Sequence, residues 1–233
     1  MIRYHHADHV ARITFDSPAT SNAITYAMMQ QYIDALEAAQ NDRARFLIID
    51  ANGPDFTLGR DQKEKVPGLA REDSLRLILR ANAALRAFDG VSIALIQGRA
   101  LGFGSGIALH STLSIAADTA SFGFDEINHG LAPLVIVAYA PYFLPPRVVQ
   151  ELVITGRKLP AAEAREIGIA SRVVPADALQ ATADELIADI GERLPSAVRL
   201  LRRYHEAQAQ YPGEAVLEDA IQQLDQWITQ GKP

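Results

Sequence analysis

The sequence predicts a mixed α/β fold, with an N-terminal core of repeated strand–strand–helix character over residues 1–174 and a helical region over residues 175–233. Three observations predict it. Strand and helix patterns alternate through the first half of the chain, whereas helix patterns dominate beyond Pro145. The 233 residues are 48% hydrophobic and 21% charged, a composition typical of one compact domain with a substantial apolar core.

The first half begins with a strand, Val10–Phe15, which is followed by turn-forming residues 16–21. From Thr25 onward, apolar residues recur three or four positions apart and predict an amphipathic helix. A buried strand, Phe46–Ile49, leads into an irregular loop at residues 52–68 that is long enough to suggest a function. A second amphipathic helix follows, and its apolar residues are Leu75, Ile78, Leu79, Leu85 and Phe88.

A strand at Ser92–Gln97 runs into a glycine-rich turn, Gly98–Gly106, and a helix pattern follows at Ile107–Leu113. A strand, a tight glycine turn and a helix in this order can aim backbone N–H groups at an anion. The spacing is GxGxG, and no acidic residue follows at the distance that a dinucleotide site requires. A single glycine often does no more than allow a helix to pack closely on a sheet. Three glycines in five residues favour an exposed cluster of N–H groups instead.

Two short strands, Leu113–Ala117 and Ala120–Phe124, are predicted before the helices take over. The predicted helices cover residues 161–167, closed by Gly168, and then residues 176–190, 196–210 and 213–229. His5 and His6 lie at an end that we expect to fray. No spacing of His, Asp and Glu residues indicates a metal site.

Composition excludes several classes of protein. The net charge of −6 has the wrong sign for a general nucleic-acid binder. The absence of Cys removes disulfides, thiolate metal sites and a Cys nucleophile. The start lacks an apolar run of signal-peptide length, and the longest apolar stretch, Leu131–Leu144, is broken by two prolines. We therefore expect a soluble cytoplasmic protein without a membrane or nucleic-acid partner.

Two segments carry polar groups that could do chemistry. Phe56–Asp61 is a charged loop, which by itself is best interpreted as solvated surface. The segment Ser121–Pro133 places Asp125, Glu126 and His129 among apolar residues. A buried carboxylate has a raised pKa and can shuttle protons near neutral pH, so Glu126 is a candidate. Asp125 and His129 are interpreted mainly as its neighbours.

These segments belong to an ordered set of motifs that covers nearly the whole chain. The set is Ser21–Ile24, Phe56–Asp61, Gly98–Gly106, Ser121–Gly130, Leu152–Arg157, Ala161–Gly168 and Ser171–Pro175. Each motif is weak alone, but the set resembles the crotonase, or enoyl-CoA hydratase/isomerase, family. The resemblance implies the crotonase (ClpP-like) fold, a spiral of ββα units with a helical C-terminal region that packs in trimers, often paired into hexamers.

The resemblance also implies a substrate: a CoA thioester whose carbonyl oxygen lies between two backbone N–H donors. These donors map onto Arg60 and Phe103, and Gly102 belongs to the same turn as Phe103. The family commonly has Ala and Gly at the two donor positions, but main-chain donors survive such substitutions. Fixed donors stabilise the charge that builds on the thioester oxygen. CoA is part of the substrate, so no separate cofactor is expected.

Two further contacts to CoA follow from the resemblance. The carbonyl of Leu58 would lie near the adenine end of CoA. The side chains of Arg60 and Lys63 could contact its phosphates, although simple solvation is the favoured interpretation.

The sequence departs from the family pattern in two places. Hydratases of the family use two glutamates, whereas here the first position is Gly106 and only the second, Glu126, is kept. The family's glycine-rich stretch is replaced by the apolar Leu134–Val137. One carboxylate in a more apolar pocket favours Δ3,Δ2-enoyl-CoA isomerisation, with Glu126 moving a proton from C2 to C4. Hydration supported by His129 or Asp125, and acyl-CoA binding without turnover, stay open as alternatives.

Overall fold

The computed structural model describes residues 1–208 and 211–231 and contains two sheets. The larger sheet has six strands in the order β1-β2-β3-β4-β6-β9, and the smaller has three in the order β5-β7-β8. The strands are β1 (Ile2–Ala7), β2 (Val10–Phe15), β3 (Phe46–Ala51), β4 (Val91–Ile96), β5 (Arg99–Leu101), β6 (Leu113–Ala117), β7 (Ser121–Gly123), β8 (Lys158–Pro160) and β9 (Arg172–Val174).

The helices fill the intervals between strands and then dominate the second half of the chain. They are α1 (Tyr26–Asn41), α2 (Arg71–Ala87), α3 (Phe103–His110), α4 (Leu134–Tyr139), α5 (Pro146–Thr155), α6 (Ala161–Ile167), α7 (Leu179–Gly191), α8 (Pro195–Gln208) and α9 (Glu214–Thr229). The mixed α/β architecture is therefore as predicted.

Strands β2, β3, β4, β6 and β9 are mutually parallel where they pair, and they form the core of the large sheet. Parallel strands need crossover connections, so helices cover the sheet and bury its central strands. Every residue of β4 is buried. This burial explains why β3 and β4 appear in the sequence as continuous apolar runs rather than as alternating patterns.

The expectation that His5 and His6 lie at a fraying end was wrong. Residues 2–7 form β1, which pairs antiparallel with β2 in a register that joins Ile2 to Phe15 and Ala7 to Val10. Its residues alternate between half-buried and exposed positions. An edge strand that hides only one face tolerates histidines and gives a weak sequence signal.

Several element boundaries also differ from prediction. The helix predicted from Ile107 begins at Phe103, and residues 99–101 of the glycine-rich turn form β5. Helix α5 was not predicted; its first residue is Pro146, and proline is well tolerated at the first helical position. Helix α8 is described to Gln208, so the last two residues of the predicted helix 196–210 lie outside the described residues.

Other predictions are confirmed closely. Helix α6 spans residues 161–167, and Gly168 ends it in the left-handed region with φ of 94°. Helix α1 starts where Thr25 accepts a hydrogen bond from the backbone N–H of Met28 at 3.2 Å.

Over the described residues, no helix combines the length and apolar character needed to cross a membrane.

Candidate active site

Two loops meet beside the small sheet because their backbones pair. The Thr57 N–H donates to the Arg99 carbonyl at 3.0 Å, and the Leu101 N–H donates to the Thr57 carbonyl at 3.0 Å. Gly59 then approaches the second loop so closely that a Cβ on it would lie 2.7 Å from the Leu101 oxygen and 3.4 Å from the Phe103 nitrogen. Glycine is required at this crossing, and the crossing brings residues 60 and 103 to one place.

Arg60 and Phe103 line one cavity, and their backbone N–H groups are available as donors. Phe103 is the first residue of α3, where helical geometry leaves an N–H without an intrahelical acceptor. Gly102 precedes it with φ of 51° and ψ of −112°, a backbone conformation open essentially to glycine alone. Within residues 1–208 and 211–231, no acceptor receives a hydrogen bond from either N–H.

The cavity has a volume of about 720 Å³, and the five residues to which the family resemblance gives a catalytic or substrate-binding role line it. These residues are Leu58, Arg60, Gly102, Phe103 and Glu126. A volume of this size is within the range that small-molecule sites occupy. Leu134, Val135 and Ile136 of α4 also lie on its wall, which is the apolar lining expected from the Leu134–Val137 substitution.

Glu126 lines the cavity and is half-buried, and one oxygen of its carboxyl group is hidden from solvent. Its Oε2 is buried and has no hydrogen-bond partner, and its Oε1 lies 2.8 Å from the position that a Cβ on Gly102 would take. Burial raises the pKa of Glu126 to about 7, and the nearby charge of Asp125 adds to the rise. The carboxyl can therefore both accept and release a proton near neutral pH.

The other polar neighbours of Glu126 are arranged around Asp125. His129 Nε2 lies 3.7 Å from Asp125 Oδ2, and the His129 side chain is 58% exposed. His129 thus interacts with Asp125 across one turn, and both residues lie on the cavity wall.

The Arg60 guanidinium is hydrogen-bonded to protein groups, so it does not leave an unpaired charge in the cavity. It binds Glu64, donates to the Ile24 carbonyl at 2.9 Å and donates to Ser74 Oγ at 3.0 Å. The ring of Phe103 packs in the core, edge-on to Tyr32 with 6.0 Å between ring centroids. Lys63 does not line the cavity, whereas Lys65 and Lys158, which the sequence did not single out, do.

Behind Gly106, the structure places a residue that sequence reasoning missed. The Tyr139 hydroxyl lies 2.8 Å from the position that a Cβ on Gly106 would take. Tyr139 is fully buried, and its hydroxyl has no hydrogen-bond partner. The signal was a tyrosine inside the apolar stretch 131–144, because a buried tyrosine hydroxyl usually has a partner.

His110 holds the surroundings of Tyr139 in one arrangement. Its Nδ1 donates to the Gly106 carbonyl at 2.7 Å, so its Nε2 accepts from the Tyr211 hydroxyl at 2.9 Å. Burial lowers the pKa of His110 to about 3, and the ring is therefore neutral. The same ring packs edge-on against Tyr139 at 4.8 Å.

Helix α9 contributes to the cavity, since its Leu224 and Ile228 lie on the wall. Helix α9 packs against α2 and α4. Two ion pairs fasten it to α2: Arg76 binds Glu218, and Arg71 Nη1 lies 2.8 Å from Asp225 Oδ1.

Comparisons with known proteins agree with this architecture. The chain is 37% identical over 216 residues to the carnitinyl-CoA dehydratase of Citrobacter koseri, an alignment that covers 88% of this chain and 80% of the relative. It is 31% identical over 219 residues to enoyl-CoA hydratase EchA19 of Mycobacterium tuberculosis, with coverages of 89% and 81%.

Solved structures and a family model extend the likeness to the whole chain. An enoyl-CoA hydratase structure from Mycobacterium avium subsp. paratuberculosis K-10 superimposes with a TM-score of 0.86 at 23% identity, covering 97% of this chain and 93% of that one. The predicted crotonase fold is thereby confirmed. The sequence model described as enoyl-CoA hydratase/isomerase matches residues 5–232. This chain belongs to the enoyl-CoA hydratase/isomerase family.

Proposed function

We propose that this enzyme is a Δ3,Δ2-enoyl-CoA isomerase in which Glu126 is the catalytic acid and base. The observation that carries the proposal is the single buried carboxyl beside two free main-chain donors. The position of a second carboxylate is Gly106, and the space beyond it is taken by the Tyr139 hydroxyl. Among the described carboxyl groups that line the cavity, only that of Glu126 has a buried oxygen without a partner. Such a group beside an apolar wall suits proton transfer better than the addition of water.

In the proposed reaction, ionised Glu126 removes a proton from C2 of a 3-enoyl-CoA. The electrons of the C–H bond move onto the thioester oxygen to give a dienolate, which the N–H groups of Arg60 and Phe103 stabilise. Each donor of this kind typically lowers the barrier by ~3 kcal/mol. Glu126 then returns the proton at C4, so that the double bond lies between C2 and C3.

The pKa of Glu126 supports this cycle. A carboxyl with a pKa near 7 exists in both protonation states at neutral pH, and proton transfer in both directions is then efficient. The reaction requires no cofactor, because CoA is part of the substrate. Leu58 and the turn Gly102–Phe103 line the cavity, which supports the proposal that the turn holds the thioester and that the Leu58 carbonyl lies near the adenine end of CoA.

The test is conversion of a 3-enoyl-CoA to the 2-enoyl-CoA, followed by ultraviolet absorbance of the conjugated thioester. We expect turnover by the wild type and a loss of at least 100-fold in Glu126→Gln, which removes the proton carrier. Asp125→Asn, a neighbour on the same wall, is the control and should retain most activity. Equal turnover by wild type and Glu126→Gln would overturn the assignment.

Hydration of a 2-enoyl-CoA is the second candidate, because the two relatives described above are named a dehydratase and a hydratase. Asp125 and His129 on the cavity wall are the residues that could assist water. Incubation in ¹⁸O-labelled water separates the two reactions. Robust incorporation of solvent oxygen at C3 would favour hydration and overturn isomerisation as the main activity.

A further inference from the structure

The Glu126 carboxyl group and the Tyr139 hydroxyl both lie beside the first turn of α3. Glu126 Oε1 is 2.8 Å from the Cβ position of residue 102, and the Tyr139 hydroxyl is 2.8 Å from the Cβ position of residue 106. The Gly106 N–H donates to the Gly102 carbonyl at 3.0 Å, so the two positions are one helical turn apart. Cβ positions with that spacing are about 6 Å apart.

Both groups have unmet hydrogen-bonding capacity. Glu126 Oε2 and the Tyr139 hydroxyl are buried without a partner, and such groups are rare in folded proteins because each costs free energy. The nearest ring, that of His110, uses both of its nitrogens on Gly106 and Tyr211. His110 therefore has no free nitrogen for the Tyr139 hydroxyl.

We propose that Tyr139 is a positioning residue for Glu126: its O–H donates a hydrogen bond to the ionised carboxylate, directly or across one water molecule. In this arrangement Tyr139 takes the place that a second carboxylate would have at position 106. A phenol donates a hydrogen bond to the carboxylate anion but competes poorly as a proton acceptor. It thus orients Glu126 for proton transfer without supplying a base for water.

The protonation state of Tyr139 agrees with a donor role. Burial and the nearby charge of Glu126 raise the pKa of Tyr139 well above 10, so the hydroxyl keeps its proton throughout the neutral range. Other ionisable side chains on the wall around Glu126 include Arg60, Glu64, Arg99, Asp125, His129 and Lys158. These side chains are the same in every variant compared below, so they do not account for a difference between variants.

The inference deepens the proposed function, on which its catalytic part rests, and Tyr139→Phe tests it. This change removes the hydroxyl and keeps the ring that packs on His110. Tyr32→Phe is the matched control, because Tyr32 is also fully buried with an unpartnered hydroxyl, and burial is the only cause that raises its pKa. Both variants lose a buried unpaired oxygen, so a purely structural effect should be similar in the two.

The first measurement needs no turnover. The pKa of Glu126 is followed by ¹³C carboxyl NMR in the substrate-free protein, with Glu126→Gln used to assign the signal. A hydrogen bond to a charged group corresponds to about 1 to 2 pKa units, so Tyr139→Phe should raise the pKa of Glu126 by that amount and Tyr32→Phe should not. An unchanged Glu126 titration in Tyr139→Phe would overturn the inference.

The second measurement is the pH profile of isomerase activity. Tyr139→Phe should move the acid limb of kcat/KM to higher pH by the same amount and lower kcat about 10-fold with little change in KM. Should no isomerase turnover be found while the NMR shift occurs, the proposed function fails and the positioning role stands. An acid limb that moves equally in Tyr32→Phe would overturn the inference.

Discussion

The pKa of Glu126 predicts a measurable cost in stability, which Glu126→Gln should remove. Between its ordinary pKa of 4.5 and its folded-state pKa of about 7, the folded protein keeps the proton and the unfolded chain releases it. The free energy of unfolding therefore falls as the pH rises through this window. One pKa unit corresponds to about 1.4 kcal/mol, so the accumulated cost is about 3 kcal/mol at pH 7.5.

Glutamine is neutral at every pH and carries no such cost. The unfolding free energy of Glu126→Gln minus that of the wild type should increase by about 3 kcal/mol between pH 4.5 and pH 7.5. Urea denaturation at a series of pH values measures it. The fixed effect of exchanging a carboxyl for an amide cancels, because only the change with pH is interpreted.

Glu163→Gln is the control with the opposite sign. Hydrogen bonds from Arg157 lower the pKa of Glu163, so its ionised form stabilises the folded protein above the unfolded-state pKa. That variant should lose stability relative to the wild type as the pH rises through about 4. A difference for Glu126→Gln that stays constant within about 1 kcal/mol from pH 5 to pH 7.5 would refute the argument from burial.

Three further predictions concern the surroundings of the site. Gly102→Ala should abolish most isomerase activity and cost about 1–3 kcal/mol, because its backbone conformation excludes a side chain and its Cβ would strike the neighbouring carboxyl. Gly106→Ala should cost about 1–3 kcal/mol by overpacking, and less in a Tyr139→Phe background, as a double-mutant cycle will measure. Arg99→Met should move acid unfolding to higher pH, because hydrogen bonds from Arg99 lower the pKa of Asp55 to about 2 and that stability is lost as the pH falls.

Each of these predictions has a contrary outcome. Gly168 also has a positive φ but nothing within 4 Å of its Cβ position, so Gly168→Ala should cost stability and leave activity unchanged. Equal activity losses at positions 102 and 168 would contradict the steric argument. If the stability costs of Gly106→Ala and Tyr139→Phe simply add in the double variant, the two residues do not touch. Acid unfolding at an unchanged pH in Arg99→Met would contradict the Asp55 argument.

Much of the fold could be predicted because its strands and helices have clear periodicity. The parallel core strands are continuous apolar runs, and helix α6 ends at a glycine with positive φ, as predicted. Strand β1 escaped prediction because only one of its faces is covered and two histidines weaken the pattern. Helix α5 was not predicted either, although it starts at Pro146 and proline is well tolerated at the first helical position.

The grouping of the candidate residues around one cavity follows from backbone motifs in the sequence, whereas the contact made by Tyr139 depends on packing between distant segments. Leu58, Arg60, Gly102, Phe103 and Glu126 lie around one cavity, as expected from their motifs. Tyr139 could not be placed, because nothing local in its sequence shows that its hydroxyl would meet Gly106. That contact joins a residue of α4 to a residue of α3, and it depends on the absence of a side chain at Gly106.

Helix α9 is the last helix of the described chain, and it completes the wall of the cavity. Leu224 and Ile228 line it, yet they follow in sequence every other residue named in the site. A nascent chain can thus assemble the loops around Gly59 and Gly102 before this part of the wall exists. Ligand binding in the cavity should then slow amide hydrogen exchange throughout α9, since the helix cannot detach without removing two residues of the cavity wall.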